Sequence, residues 1–336
     1  MGHAPLLVVE NLRVEFPRAD AIVRAVQGLT LSIGHGEIVG LVGESGCGKS
    51  AAALGLLRLV PPPGRVSAGR VSLDGVELLS LPEKQLRRYR GAGLAYVPQE
   101  PGSALNPVLR VGSQIVDVIR AHRPVSRKAA WEEAVGALVR VGIPDAGRRV
   151  RDYPHQFSGG MKQRVLIALA LAARPRVLLA DEPTTALDVT VQAGVLDLLR
   201  SLIDGRELGG ILLITHDLGV VAALCDRVLV MYAGRIVEQA SVSDLFDDPR
   251  HPYTRALIAS LPQPDARRER LPAIPGQVPD LGHLPAGCAF HPRCPLAEAQ
   301  CRVEVPALQS RTNGRAVACL LEEEAVAGAA APRSAE

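Results

Sequence analysis

The stretch GESGCGKS, residues 43–50, decides how the whole chain is read. It follows EIVGLVG (37–43), an apolar run with β-branched residues that reads as a buried strand. It precedes a segment that reads as helix and stops before Pro61, Pro62, Pro63 and Gly64. A G-x-x-x-x-G-K-S loop between a strand and a helix lets backbone N–H groups wrap the phosphates of a nucleotide. Gly43, Glu44, Ser45, Gly46, Cys47, Gly48, Lys49, Ser50 and Ala51 are therefore candidate ATP-binding residues. Lys49 places a point charge at the β- and γ-phosphates, and Ser50 offers a hydroxyl to Mg2+.

Such a loop needs a second half, a strand ending in a carboxylate that faces the metal. VLLADEP (177–183) supplies it, with Asp181 at the strand end and Glu182 beside it. Two adjacent carboxylates at the end of a buried strand are costly unless one faces a cation. The division of labour expected is Asp181 toward Mg2+ through water and Glu182 as general base for the attacking water. ITHD places His216 just past another strand, where an imidazole can meet the γ-phosphate. Gln99 ends LAYVPQ, and its amide oxygen is a further candidate ligand for Mg2+. FSGGM (157–161) is a second place where a helix begins with serine and glycines, again a start with unsatisfied N–H groups that suits an anion.

The remaining pattern is α/β. LLVVENLRVEF (6–16) and VRAVQGLTLSI (23–33) read as strands, as do VSLDG and LAYVPQ. Residues 110–172 read as mainly helical, GILLITHD (210–217) as a buried strand, and 189–203 as the helix before it. RVLVMYAGRIVEQA reads as a hairpin turning at Ala233 and Gly234, with Ser243 capping a short helix through Phe246. Prolines recur from residue 262 onward, which marks a domain boundary. The Ala-rich stretch from residue 325 is expected to be disordered. With 47% hydrophobic residues the chain can bury a real core, and a net charge of +3 is too mild to argue for nucleic acid. The longest apolar runs, such as 165–173, fall short of the roughly 20 residues of a membrane span, and no signal-peptide pattern is visible. A cytoplasmic chain is therefore expected.

Taken in order, GESGCGKS, Gln99, FSGGM, VLLADEP, TTALDVT and His216 resemble the nucleotide-binding subunits of ABC transporters. The resemblance covers about residues 6–262 and implies a P-loop ATPase core with an N-terminal antiparallel β subdomain and an α-helical subdomain at about 105–172. It implies that Phe16 stacks on adenine. It also implies head-to-tail pairing, in which Ser158, Gly159 and Gly160 of one chain meet the nucleotide of the other and Asp188 crosses the interface. Met161 at the end of the signature, VPQEPGSALNP (97–107), HPYTRALIASLP (251–262) and IPGQVPDLGHLPAGCAFHPRCP (274–295) are similar to the oligopeptide/dipeptide branch, with nickel importers as near relatives. The resemblance thus implies an ATPase subunit of a peptide importer. Its partners would be a second ATPase subunit (commonly a different chain), two transmembrane permease subunits and, indirectly, an extracytoplasmic peptide-binding protein. It would sit at the cytoplasmic face of the plasma membrane. A soluble ABC ATPase not coupled to transport is the competing reading; the single motif set and the lack of sustained heptads speak against it.

Residues 263–336 read as a small C-terminal region of the same branch. Cys288, Cys294, Cys301 and Cys319 are spaced C-x5-C-x6-C-x17-C, with no CxxC pair, which weakens a zinc-ribbon reading. Four thiolates can hold a [4Fe–4S] cluster, and the branch resemblance implies one. Zn2+ and unmetallated thiols stay open as alternatives, and His291 reads as a turn residue.

Overall fold

The computed structural model describes residues 4–185, 187–261 and 274–322. In chain order the elements are β1 (Leu7–Pro17), β2 (Ile22–Ile33), β3 (Glu37–Val42), α1 (Lys49–Leu56), β4 (Arg65–Leu73), β5 (Val76–Glu77), α2 (Glu83–Tyr89) and β6 (Leu94–Val97). Next come α3 (Pro101–Ala104), α4 (Val111–His122), α5 (Arg127–Arg140), α6 (Ala146–Arg149), α7 (Gly159–Leu171), β7 (Val177–Asp181), α8 (Val189–Asp204) and β8 (Gly210–Thr215). The last described elements are α9 (Leu218–Leu224), β9 (Arg227–Tyr232), β10 (Arg235–Ser241), α10 (Val242–Asp247), α11 (Pro252–Ala259), β11 (Gln309–Ser310) and β12 (Ala316–Val317). The proline-rich start of the boundary near residue 262 and the Ala-rich end from residue 325 lie outside the described residues. Among the described residues, no helix is long and apolar enough to cross a membrane.

Two compact units divide the chain. The first comprises the described residues within 4–9, 31–38 and 70–214. Here β6, β7 and β8 form a parallel ladder, Leu94 to Val97 against Val177 to Ala180 and Val177 to Asp181 against Gly210 to Ile214. Val177, Leu178, Leu179, Ile211, Leu212 and Leu213 are all fully buried, which is why the sequence runs show no polar alternation. Burying each such side chain contributes about 1.5–3 kcal/mol. Helices α4, α5 and α7 pack together in the same unit. Helix α7 buries Val165, Leu166, Ile167 and Ala168 in succession, so it is the helix enclosed on most sides. Ser126 caps α5, its hydroxyl accepting from Ala129 N at 3.2 Å.

The second unit comprises the described residues within 10–30, 39–69 and 215–322. In it β3 runs parallel to β9, and β9 and β10 form the expected hairpin. Ala233 and Gly234 both have positive φ, 46° and 82°, as a type I′ two-residue turn demands. Strand β12 adds antiparallel to β10, and β11 to β12, so the C-terminal region extends this sheet. Strands β1, β2 and β4 each give residues to both units.

One local expectation is corrected. Ser241, not Ser243, caps α10, accepting from Asp244 N at 3.1 Å. The strand hands over to the helix two residues earlier than the sequence signal suggested, so Ser243 falls inside the first turn.

Candidate functional site

The loop after β3 is shaped by three glycines with positive φ, Gly43 at 159°, Gly46 at 81° and Gly48 at 106°. At two of them a side chain is also sterically excluded. A Cβ on Gly43 would lie 2.2 Å from the Met231 carbonyl oxygen, and one on Gly48 2.0 Å from that of Ala25. Lys49 is only 6% exposed and folds back over the loop. Its ammonium donates to the Gly43 and Glu44 carbonyl oxygens at 2.8 and 3.1 Å. Its third contact, a weak one, is to the Cys47 sulfur at 3.9 Å. Cys47 is buried, which pushes its thiol pKa up, and its carbonyl accepts from Gly234 N at 2.9 Å.

Glu44 has partners that no local pattern announced. Its backbone N–H donates to the Tyr253 hydroxyl at 2.9 Å. Its carboxylate is gripped by both ends of the Arg293 guanidinium, at 2.7 and 2.9 Å. Tyr253 belongs to the HPY stretch and Arg293 to the segment between Cys288 and Cys294. Tyr232, Tyr253 and Phe290 form an aromatic cluster behind them, with ring centroids 4.7–5.4 Å apart. On β1, Phe16 is half-buried, and a Cβ on Gly64 would come within 2.4 Å of its ring. A bare glycine is therefore what lets the chain pass this aromatic.

At the end of β7, Asp181 is 1% exposed and accepts from the Tyr96 hydroxyl at 2.8 Å. Burial and the neighbouring carboxylate hold Tyr96 well above the usual phenol range, so it stays a donor. Glu182 takes the left-handed backbone conformation, φ 47°, which is uncommon outside glycine and recurs at functional sites. Its Oε2 accepts from the Gln99 amide at 2.8 Å and from the Thr185 hydroxyl at 2.8 Å. Gln99 and Glu182, expected to serve one chemistry, are thus in contact; Tyr96 and Thr185 were not anticipated. His216 is exposed just beyond β8, and the next residue, Asp217, caps α9 by accepting from Gly219 N at 2.7 Å.

The FSGGM stretch forms the start of α7. Phe157 is buried, with the Arg149 guanidinium 5.7 Å above its ring, and fixes the entry of the chain. Ser158 is the N-cap, but its hydroxyl lies 3.4 Å from Met161 N, a long bond. Ser158 and Gly159 are exposed, and a Cβ on Gly159 would meet nothing within 4 Å. Gly160 is different: a Cβ there would lie 2.4 Å from Cγ1 of Val191 on α8. The in-chain need for a glycine therefore falls on Gly160 rather than Gly159. Asp188 is exposed and caps α8, accepting from Val191 N at 2.9 Å.

Cys288, Cys294, Cys301 and Cys319 line one cavity with Phe290, Leu296, Leu320 and Leu321, and all four are free of disulfides. Burial raises the Cys288 and Cys294 thiols and pushes Cys319 up to about 11. Among the described residues, no three His, Cys, Asp or Glu side chains form a group that could hold a metal ion. His291 sits in a turn, with its Nδ1 3.0 Å from the Cys288 carbonyl oxygen.

Comparison with known proteins gives two family matches, "ABC transporter" at residues 26–185 and "Oligopeptide/dipeptide transporter, C-terminal region" at 237–301. A probable peptide ABC transporter ATP-binding protein, y4tR of Sinorhizobium fredii, is 49% identical, covering 96% of each chain. The probable D,D-dipeptide transport ATP-binding protein DdpD of Escherichia coli is 48% identical over 96% of this chain and 98% of its own. The oligopeptide transport ATP-binding protein OppD of the same organism is 48% identical over 94% and 92%. Among solved structures, the dimeric ATP-binding cassette MJ0796 in a post-hydrolysis state with ADP and Pi matches 70% of this chain and 98% of its own, at 26% identity and TM-score 0.64. The cassette cbiO1 of Clostridium perfringens matches at TM-score 0.62, 26% identity, 73% of this chain and 92% of its own.

Proposed function

The chain belongs to the ABC transporter ATP-binding family, and from that premise we propose that it is the ATP-hydrolysing subunit of a peptide importer. The observation that carries the catalytic part is the Glu182 carboxylate, set on a left-handed backbone beside buried Asp181 and held by Gln99 and Thr185. A carboxylate held by two donors is fixed in one orientation, as a general base requires. In this reading Glu182 is the general base and His216 orients the γ-phosphate. Phe16 stacks on adenine, and the loop from Gly43 to Ala51 binds the phosphates. Ser158, Gly159, Gly160 and Asp188 act on the nucleotide of a partner subunit. The donors assigned to Mg2+, the Ser50 hydroxyl, the Gln99 amide oxygen and the Asp181 carboxylate, are all oxygens, the ligand type that cation takes. When bound, Mg2+ supplies charge neutralisation at the phosphates.

Pairing with a second ATPase subunit is supported by the dimeric form of the solved cassette MJ0796 and by the exposed start of α7. The partner is assigned as a sister chain, with two permease subunits and an extracytoplasmic peptide-binding protein completing the importer at the cytoplasmic face of the membrane. Peptide rather than nickel as cargo is supported by the names of the relatives. The domain division assigned is an ATPase domain over 1–262 and a cysteine-bearing region over 263–336.

The four cysteines are assigned to an iron–sulfur cluster. A single tetrahedral zinc needs every sulfur about 2.3 Å from one point. No group of three or more ligating side chains with metal-binding spacing occurs among the described residues, for iron or for zinc. The cluster reading rests on the branch resemblance and on the four thiols sharing one cavity, with Zn2+ or free thiols as the alternatives. A bound cluster would cross-link Cys288, Cys294, Cys301 and Cys319 within the Pro-rich region.

The test is Glu182→Gln in the full chain, in cells lacking the native copy. Steady-state ATPase of the purified importer should fall by about 10²–10⁴-fold while ATP still binds. Uptake of a radiolabelled tripeptide should be restored by the wild-type chain and not by the variant. Unchanged turnover would remove Glu182 from the mechanism, and tripeptide uptake independent of the chain would remove the peptide assignment.

A further inference from the structure

We propose that Arg293 is a positioning residue for ATP binding, holding and neutralising the Glu44 carboxylate on the phosphate loop. Glu44 is the second residue of that loop, and its side chain carries a negative charge beside the place where a polyanion is bound. Unpaired, it would repel a triphosphate and let the loop swing. The guanidinium removes both problems in one contact. Two parallel N–H···O bonds of 2.7 and 2.9 Å fix the carboxylate plane as well as its charge.

The grip is rigid because Arg293 is itself held. Its side chain is 5% exposed. Its Nε donates to the Pro275 carbonyl at 2.8 Å, Nη1 lies 3.3 Å from the Tyr232 hydroxyl, and the guanidinium carbon stands 5.8 Å from the Tyr232 ring centroid. The backbone around it is a tight turn, with Arg293 N donating to Phe290 O at 2.9 Å and His291 N to Cys288 O at 3.0 Å. Cys288 N in turn donates to Cys301 O at 2.9 Å. The cysteine-bearing segment thus reaches the phosphate loop through one side chain. Tyr253 anchors the same loop residue from its backbone side, so Glu44 is clamped at both ends. A lysine could keep the charge but not the two-pronged geometry.

The experiment measures equilibrium binding of fluorescent N-methylanthraniloyl-ATP with Mg2+ to the full-length chain, alongside its thermal midpoint. Arg293→Ala should weaken binding about tenfold in the wild-type background. In a Glu44→Gln background the same change should alter affinity by less than about twofold, because the carboxylate it serves is gone. A residue that only supported the fold would lower the thermal midpoint and leave this dependence on Glu44 absent. Arg293→Ala binding as tightly as wild type would overturn the proposal, as would a tenfold loss that persists in the Glu44→Gln background. If Arg293→Ala does not fold, Arg293→Lys decides. A several-fold loss that vanishes with Glu44→Gln supports the proposal, and equal affinity in both backgrounds overturns it.

Discussion

The helix that starts at Lys49 and the helix that starts at Gly159 both present unsatisfied N–H groups at their N-termini, and their surroundings are opposite. The first start is enclosed by its own chain. Carbonyl oxygens of Met231 and Ala25 crowd Gly43 and Gly48, Lys49 is almost fully covered, and Tyr253 and Arg293 fasten Glu44. The second start is bare, with Ser158 and Gly159 exposed and open space around the Gly159 Cβ direction. The two helix ends proposed to meet phosphate therefore sit in different settings. One is a socket completed in cis, so its residues are constrained by folding. The other is a face with little in-chain constraint, as a surface offered to a partner's nucleotide would be.

The largest effect expected from this contrast is at Gly48. Gly48→Ala forces a side chain into the Ala25 carbonyl at a backbone φ of 106°, where L-residues are strained. The combined cost should be at least about 3 kcal/mol, with nucleotide binding lost, as read by chemical denaturation and ATP titration. A stable, ATP-binding Gly48→Ala protein would mean that the loop can be rebuilt and is no fixed socket.

Gly159→Leu probes the other side. The site has room in the isolated chain, so the unfolding free energy should move by no more than about 0.5 kcal/mol. A bulky side chain on an approach surface displaces the opposing nucleotide, and turnover of the assembled importer should drop by about 100-fold. Stable protein with full turnover would break the contrast, because no partner would then close on this face.

These two glycines also show what the sequence carries and what it hides. Buried strands were legible as short unbroken apolar runs, VLLAD being β7, and the hairpin by its turn residues, the two positive-φ positions standing at Ala233 and Gly234. The phosphate loop was legible because its chemistry fixes residue types at fixed spacing. Which glycine of Ser158-Gly159-Gly160 is needed for packing was not, since that depends on Val191 from another helix. The left-handed φ of Glu182 is written in no local pattern either, for a carboxylate after a strand is compatible with many backbones. The partners of Glu44 lie 209 and 249 residues away, and only the fold brings them in. The Ser241 cap escaped for a smaller reason: two serines two residues apart give the same signal, and the strand end chooses between them.

Ser158 gives the smallest expected effect and separates capping from trans binding most cleanly. Its hydroxyl is an N-cap by position, but at 3.4 Å from Met161 N it satisfies that donor poorly. Asp188 holds the same position on α8 at 2.9 Å and brings a full negative charge to the helix dipole. If the serine were there for the helix, Ser158→Ala would cost as much as Asp188→Ala, about 1 kcal/mol. The geometry instead places Ser158→Ala near about 0.5 kcal/mol, the low end for a lost cap. Thermal or urea unfolding of the two variants measures the difference directly. Parallel ATPase assays should then show a loss of turnover for Ser158→Ala that its small stability change cannot account for. Equal destabilisation by the two substitutions, with turnover falling only as the folded fraction falls, would return Ser158 to the role of an ordinary cap and leave the exposed face without its hydroxyl contact.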